Sequence, residues 1–204
     1  MLSAYPKTVK LKDGAAAIIR PLDRDDFEKL LAFFQELPDE DRIFLRHDVR
    51  DPGLIRKWTA SLNLDRVIPL VACDGDALVA NGSLHIMPNE CMKHVGHIRL
   101  VTARSHRHRG LGGLMTRELV SLAQARDLEK LQAHVIEDNI GAVNMFTAVG
   151  FKKEAVLTGM IKDRNWKSHN LAVMVNDVAN LGKIIEDWIQ ESMLPGFRAP
   201  GGGL

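Results

Sequence analysis

The run Arg104-Ser-His-Arg-His-Arg-Gly-Leu-Gly-Gly-Leu-Met115 gathers residue types suited to holding an anion. Gly110 and Gly112 have no Cβ, so the backbone can approach a ligand closely there. Arg107 and Arg109 bring full positive charge, and His106 and His108 add partial charge. The run follows an apolar stretch that reads as a strand and opens an amphipathic stretch that reads as a helix. A helix N-terminus in that position aims unpaired N–H groups, with roughly half a positive charge, at whatever sits before it. The chemistry implied is phosphate or diphosphate binding. Two well-known phosphate loops are excluded by spacing. The dinucleotide fingerprint needs a third glycine where Met115 stands, and a P-loop needs Gly-Lys-Ser/Thr, which is missing. A plain basic surface loop is the competing reading.

Eight histidines raise the question of metal. His94 and His97 share a predicted strand at an odd separation, so they point to opposite faces. Cys91 is no better placed, and no metal site is expected. Cys73 and Cys91 are too few for a disulfide framework and read as free thiols in a reducing compartment. The net charge is +1 and aromatic residues make up 5% of the chain. A nucleic-acid binder would show a broad basic face and aromatic platforms, so no nucleic-acid partner is expected. No run of about 18 apolar residues is present to span a bilayer, and Met1–Lys12 lacks the apolar core of a signal peptide. No membrane association and a cytoplasmic location are therefore expected.

The elements that must position the loop follow from periodicity. Strands are expected at Ala15–Arg20, Val67–Cys73, Ala77–Met87, His94–Ala103 and Leu131–Ile136. Phe151 opens a further stretch, and Val156–Ile161 with Asn170–Val175 reads as a hairpin. Asp23-Arg-Asp-Asp is a helix-start signal for Asp26–Leu37. Asp51-Pro52 starts a second helix, with Asp as cap and Pro in the first turn. A third helix runs over about 112–126, and Asp138-Asn139 caps a fourth that Gly150 ends. A last helix, Val178–Ser192, carries Leu181, Ile184, Ile185, Trp188 and Ile189 on one face. It reads as an appendage for packing or homodimer contact. The Pro/Gly-rich end, Pro195–Leu204, reads as disordered.

With the loop in this context, the sequence resembles the GNAT superfamily of N-acetyltransferases. Arg107-His-Arg-Gly110-Leu-Gly112 matches that family's Arg/Gln-x-x-Gly-x-Gly/Ala. Asn139, Ala142 and Met145-Phe146 are similar to its Asn-x-x-Ala-x-x-Leu-Tyr helix, and Gly150-Phe151 to the Gly-Phe that follows. The opening Lys10–Leu22 and Leu37–Arg46 are similar to the bacterial protein-lysine acetyltransferase branch. The resemblance implies an α/β (α+β) fold. Its central sheet would be mixed, mostly antiparallel, of six to seven strands, splayed at the cofactor site and flanked by helices. An N-acetyltransferase domain would fill residues 1–176, and a C-terminal helix and tail residues 177–204.

The resemblance also implies roles. Acetyl-CoA would be the cosubstrate. Its diphosphate would lie on the N–H groups of His108, Arg109, Gly110, Leu111, Gly112 and Gly113, beside Arg107. The end of the preceding strand, Leu100, Val101 and Thr102, would hold the pantetheine arm, and Asn139 would contact the cofactor near the thioester. The acceptor would be an amine, on a lysine, a protein N-terminus or a small molecule. A lysine amine has a pKa near 10.4, so it must lose a proton before it can attack. The positions where relatives carry glutamate hold His97 and His134, and imidazole suits base work near neutrality. Thr102 or a neighbour would offer an N–H to the carbonyl oxygen. Phe146 stands where the family often has tyrosine, and phenylalanine cannot protonate a thiolate. An acyl-CoA-binding sensor without chemistry is the alternative. Asp39, Glu40, Asp41 and Asp163 fall where a groove between the first two helices and the 158–170 hairpin would attract a cationic amine, or else they are ordinary surface acids.

Overall fold

The computed structural model describes residues 2–178, apart from 43, 44 and 46. The expected C-terminal helix and tail lie outside the described residues. Eight strands make one sheet: β1 (Lys7–Lys10), β2 (Ala16–Pro21), β3 (Val67–Asp74), β4 (Ala77–Ile86), β5 (Val95–Thr102), β6 (Lys130–Ile136), β7 (Lys152–Lys162) and β8 (Ser168–Asp177). Their spatial order is β1-β2-β3-β4-β5-β6-β8-β7. Every neighbouring pair is antiparallel except β5–β6. That pair is parallel because the chain must cross over between the two strands, and the crossover carries a helix.

The helices are α1 (Phe27–Glu36), α2 (Asp39–Arg42), α3 (Pro52–Ala60), α4 (Leu111–Gln124) and α5 (Ile140–Ala148). Their starts follow the sequence signals. Asp23 accepts from Asp25 N–H, and Asp26 answers by accepting from Asp23 N–H, which caps the 3-10 turn Arg24–Asp26 that leads into α1. Asp51 caps α3 through Gly53 N–H with Pro52 behind it. Asn139 caps α5 through Ala142 N–H. Two elements escaped the sequence reading, β1 and α2. Each is four residues long, too short to show a period. β1 brings the sheet to eight strands, above the six to seven expected.

The sheet separates two cores. Ile68, Leu70 and Ala72 of β3, Leu84 of β4 and Ile98 of β5 pack with Leu111, Met115 and Leu119 of α4. Val71 and Cys73 of β3 and Leu78 of β4 turn the other way, onto Leu30, Phe33 and Phe34 of α1 and Ile55 of α3. Packing under α4 is tight. A Cβ on Gly96 of β5 would lie 2.7–2.8 Å from side-chain atoms of Leu131, Leu128 and Leu84. Only glycine lets β5 sit this close to its neighbours. Alternation along the strand then turns His97 and Arg99 to the face opposite α4.

Candidate active site

The site begins where β5 and β6 part. Their parallel pairing runs from Val95↔Lys130 to Ile98↔Ala133 and stops, while β5 continues to Thr102 and β6 to Ile136. Beyond the last pair a wedge opens between the strands. Ala103 N–H donates to the Val79 carbonyl, at 2.8 Å, so its peptide groups face β4. Alternation then turns the peptide groups of Leu100 and Thr102 away from β4 and into the wedge. Val101, between them, turns its own toward Asn81 of β4. The Thr102 carbonyl takes a hydrogen bond from Arg107 Nε at 3.2 Å. The wedge is thus lined by backbone that no strand occupies.

At the open end of the wedge the loop turns sharply into α4. His108 and Gly110 have φ of +61° and +86°, a left-handed backbone that glycine accepts at no steric cost. The first hydrogen bond into α4 is from Leu114 N–H to the Gly110 carbonyl, 3.1 Å. The N–H groups of His108, Arg109, Gly110, Leu111, Gly112 and Gly113 donate to no acceptor among the described residues. A Cβ on Gly113 would meet nothing within 4 Å, and one on Gly112 nothing closer than 3.8 Å, so the ground before them is clear. A diphosphate fits this mouth, with six consecutive donors and the positive end of a 14-residue helix.

The loop's basic side chains are placed differently from expectation. His106 is buried and sits between Ser105 and Asp74, with Nε2 3.0 Å from Asp74 Oδ2. It anchors the loop to the end of β3 and does not face the mouth. Arg107 pairs with Asp41 of α2 at 2.5 Å, and Arg109 pairs with Asp13 in the turn before β2. That pairing, with hydrogen bonds, holds the Asp13 carboxyl below its usual range. Lys12 N–H donates to the Arg109 carbonyl at 3.0 Å. Both arginines therefore brace the loop, and the backbone carries the donors.

His97 and His134 come together on the sheet face opposite α4. Their rings are 4.7 Å apart, edge to face. Gln132 Nε2 lies 3.1 Å from His134 Nε2. His97 belongs to the last row but one before the strands part, and His134 lies just past the parting. Two imidazoles at the apex of the wedge can take up and pass on a proton. They line a cavity of about 470 Å³ with Arg66, His85, Arg99 and Gln132. Sequence reasoning missed these last four. Each lies outside any motif, and only strand register, His85↔His97 and His97↔Gln132, brings His85 and Gln132 into the row of His97.

The remaining candidates fall outside that chemistry. Asn139 is exposed, and its side-chain oxygen is used as the α5 cap. Phe146 is buried against Phe151, ring centroids 5.0 Å apart, as part of the core. Of the expected Asp138-Asn139 cap, only Asn139 caps α5. Glu137 binds Asn170 and Lys153, which hold its carboxyl below the usual range. Asp138 meets His169. Three acids of the expected groove, Asp39, Asp41 and Asp163, are also engaged. Asp39 pairs with Arg42 and with Arg164 of the β7–β8 turn, Asp41 with Arg107, and Asp163 with His169 at 3.2 Å. No group of three or more His, Cys, Asp or Glu able to hold a metal ion occurs among the described residues.

Comparison with known proteins places this arrangement. No curated protein sequence matches the chain. Solved structures match its fold. The GNAT domain of S. lividans PAT superposes with a TM-score of 0.69 at 19% identity, over 84% of this chain and 96% of that one. A ribosomal-protein-S5-alanine acetyltransferase from Vibrio fischeri reaches 0.72 at 13%, over 86% and 98%. A putative acetyltransferase from Salmonella typhimurium, solved with its cofactor acetyl-CoA, reaches 0.69 at 14%, over 80% and 95%. The sequence profile of the Acetyltransferase (GNAT) family matches residues 27–151, a span that holds the wedge, the loop and both histidines. The chain therefore belongs to the Acetyltransferase (GNAT) family, whose chemistry is acetyl transfer.

Proposed function

We propose that this chain transfers an acetyl group from acetyl-CoA directly to an amine while both are bound. The observation that carries the reading is the row of six unengaged N–H groups, His108 to Gly113, at the mouth of α4 beside the wedge. Acetyl-CoA would supply a thioester whose carbon–sulfur bond is exchanged for a carbon–nitrogen bond. The chain's own groups do the rest. The loop N–H groups hold the diphosphate, with Arg107 and Arg109 keeping the loop in shape. Leu100 and Thr102 offer peptide groups to the pantetheine arm, which has amides of its own to pair. Thr102 N–H, aimed into the wedge, donates to the carbonyl oxygen as negative charge builds there. The His97–His134 pair takes the proton that the amine releases. Phe146 is sealed in the core, so the departing sulfur draws its proton from solvent or from the same histidine pair. Asn139 acts by fixing the start of α5 next to this apex.

A sensor that binds acyl-CoA without turnover is the second reading, and the buried Phe146 is the observation in its favour. Two measurements on the full chain decide. Calorimetry with acetyl-CoA should show binding, weakened at least tenfold in Gly112→Asp, where a carboxylate would face the diphosphate. Thiol release on adding an amine panel should then appear. Equal affinity of wild type and Gly112→Asp would overturn the cofactor site. Binding with no thiol release from any amine would leave the sensor.

A further inference from the structure

Helix α2 joins two parts of the site that the sheet holds apart. β5 and β6 run parallel, so the loop after Thr102 leaves from the same end of the sheet as Ile136. β8 runs antiparallel to β6, with Ile136 opposite Leu171, so the turn 163–167 that leads into β8 lies at that end too. In the order β5-β6-β8-β7 the loop and the turn stand on opposite sides of β6. α2 touches both. Asp41 pairs with Arg107 of the loop at 2.5 Å, and Asp39 pairs with Arg164 of the turn. The helix therefore reaches across the open end of the wedge. Its four residues, Asp39-Glu40-Asp41-Arg42, are all charged, and a single helical turn has too few hydrogen bonds to stand alone. Arg42 fastens it to the end of α1 through the Gln35 carbonyl at 2.9 Å and also pairs with Asp39.

We infer that Asp41 and Asp39 are positioning residues that relay the state of the cofactor loop to the β7–β8 turn. This rests on reading the loop as the acetyl-CoA mouth and deepens that reading. A diphosphate on the N–H groups of His108 to Gly113 narrows the motion of the loop. Arg107 stands next to that row with its Nε on the Thr102 carbonyl, so its guanidinium becomes a fixed partner for Asp41. A fixed α2 then offers Asp39 to Arg164 in one place. The turn has the most to gain from this. Arg164, Asn165, Trp166 and Lys167 are exposed, so the turn has no core of its own and opens locally at little cost. Its order bears on the chemistry, because Asp163 meets His169 and His169 meets Asp138 beside the α5 cap. Steadying the turn thus steadies the entry to α5 next to the histidine pair. The two links are unequal. Side chains of the Arg107–Asp41 pair are 32% and 22% exposed, and those of the Arg164–Asp39 pair 52% and 43%. Water screens the second pair more, so that pair limits the relay.

Hydrogen exchange at fixed pH, with calorimetry beside it, tests the relay on the full chain with acetyl-CoA and needs no acceptor. The reporters are the N–H groups of Asn165, Trp166 and Lys167, each hydrogen-bonded to Asp163. Saturating acetyl-CoA should slow their exchange about two- to fivefold, the range that an exposed ion pair supports. Arg164→Gln, Asp39→Asn and Asp41→Asn should each abolish the slowing. Arg164→Gln combined with Asp39→Asn should do no more than either alone, since both break one link. Coupling is reciprocal, so in these two variants the acetyl-CoA affinity should fall by no more than the same factor. Arg164→Gln changes an exposed side chain and carries the test if an α2 variant fails to fold. Binding without slowing in the wild type overturns the relay and leaves the cofactor site standing. Slowing that survives Arg164→Gln means that the turn is reached by another route, and it overturns the relay as well. If acetyl-CoA does not bind, the cofactor site falls and the relay falls with it.

Discussion

His97 and His134 meet because register and alternation leave them no choice. Gln132 lies opposite His97 across the parallel pair, and His134 is two residues further on the same face. Replacing either with alanine should lower turnover tenfold or more while leaving the acetyl-CoA affinity intact, as read by kcat and calorimetry side by side. Unchanged turnover in both variants would remove imidazole from the mechanism. The sequence offered both histidines through the family's pattern, but not their proximity, nor Arg66 and Arg99 beside them. Spacing along one strand says nothing about which residue of another strand lies opposite. His169 gives a residue-scale pH test. Hydrogen bonds that its ring donates to Asp138 and Asp163 raise its pKa above the usual 6.5. A raised value means that the folded form gains from the imidazolium, fully so below pH 6.5, and loses the gain as pH rises through the folded value. Its ring signals in an NMR titration should turn over above pH 6.5. The β7–β8 turn, which Asp163 closes through Asn165 and Lys167 N–H groups, should exchange its amide hydrogens faster above that point. A midpoint at or below 6.5 would contradict the geometry.

At the scale of elements, close packing and capping set the precision of the wedge. Gly96→Ala would push a methyl into Leu131, Leu128 and Leu84 and pry β5 from β6 within the four rows where they pair. Denaturant unfolding should show a loss of about 1–3 kcal/mol. KM for acetyl-CoA should rise with it, since the wedge depends on that pairing. Asn139→Ala removes the α5 cap and should cost about 1 kcal/mol. If it left stability unchanged yet weakened acetyl-CoA binding, the asparagine would belong to the ligand and not to the helix. Helix starts were the most legible part of the fold, since Asp23, Asp51 and Asn139 each satisfy a local need for a hydrogen-bond acceptor. The strands with apolar runs were legible for a similar reason. β1 and α2 were not, because each is held in place by partners distant in sequence. β1 pairs with β2, and α2 is tied by Asp41 to Arg107 and by Asp39 to Arg164.

For the molecule as a whole, acid sensitivity should come from many small carboxylate contributions and one larger one. Asp13, Asp48, Asp163 and Glu137 all sit below their usual range through hydrogen bonds to basic side chains, to the backbone or to Asn170. Asp26 is the buried case. Burial raises its pKa, but the Arg20 pair at 2.6 and 2.7 Å and the Asp23 N–H bring it down further. Lowered values mean stability that is present above about pH 4 and lost as pH falls through the folded values. Tm should hold down to about pH 4 and then decline, and Asp26→Asn should lower it at neutral pH while flattening the decline. The mixed, mostly antiparallel sheet and the GNAT family were within reach of sequence because the loop motif and helix α5 fall in the right sequence order. The charge balance around the loop was not, because Asp13 and Asp41 reach Arg109 and Arg107 from distant parts of the chain. Those two ion pairs have a consequence for how ligand affinity answers to salt. Arg107 and Arg109 are each already screened at contact range by a carboxylate, so an incoming nucleotide cofactor feels mostly fixed peptide dipoles at the mouth of α4. Such short-range forces fade little when the Debye length shrinks. The association constant for acetyl-CoA should therefore change only modestly between dilute buffer and 0.15 M salt, even though the loop's composition would suggest a steep dependence.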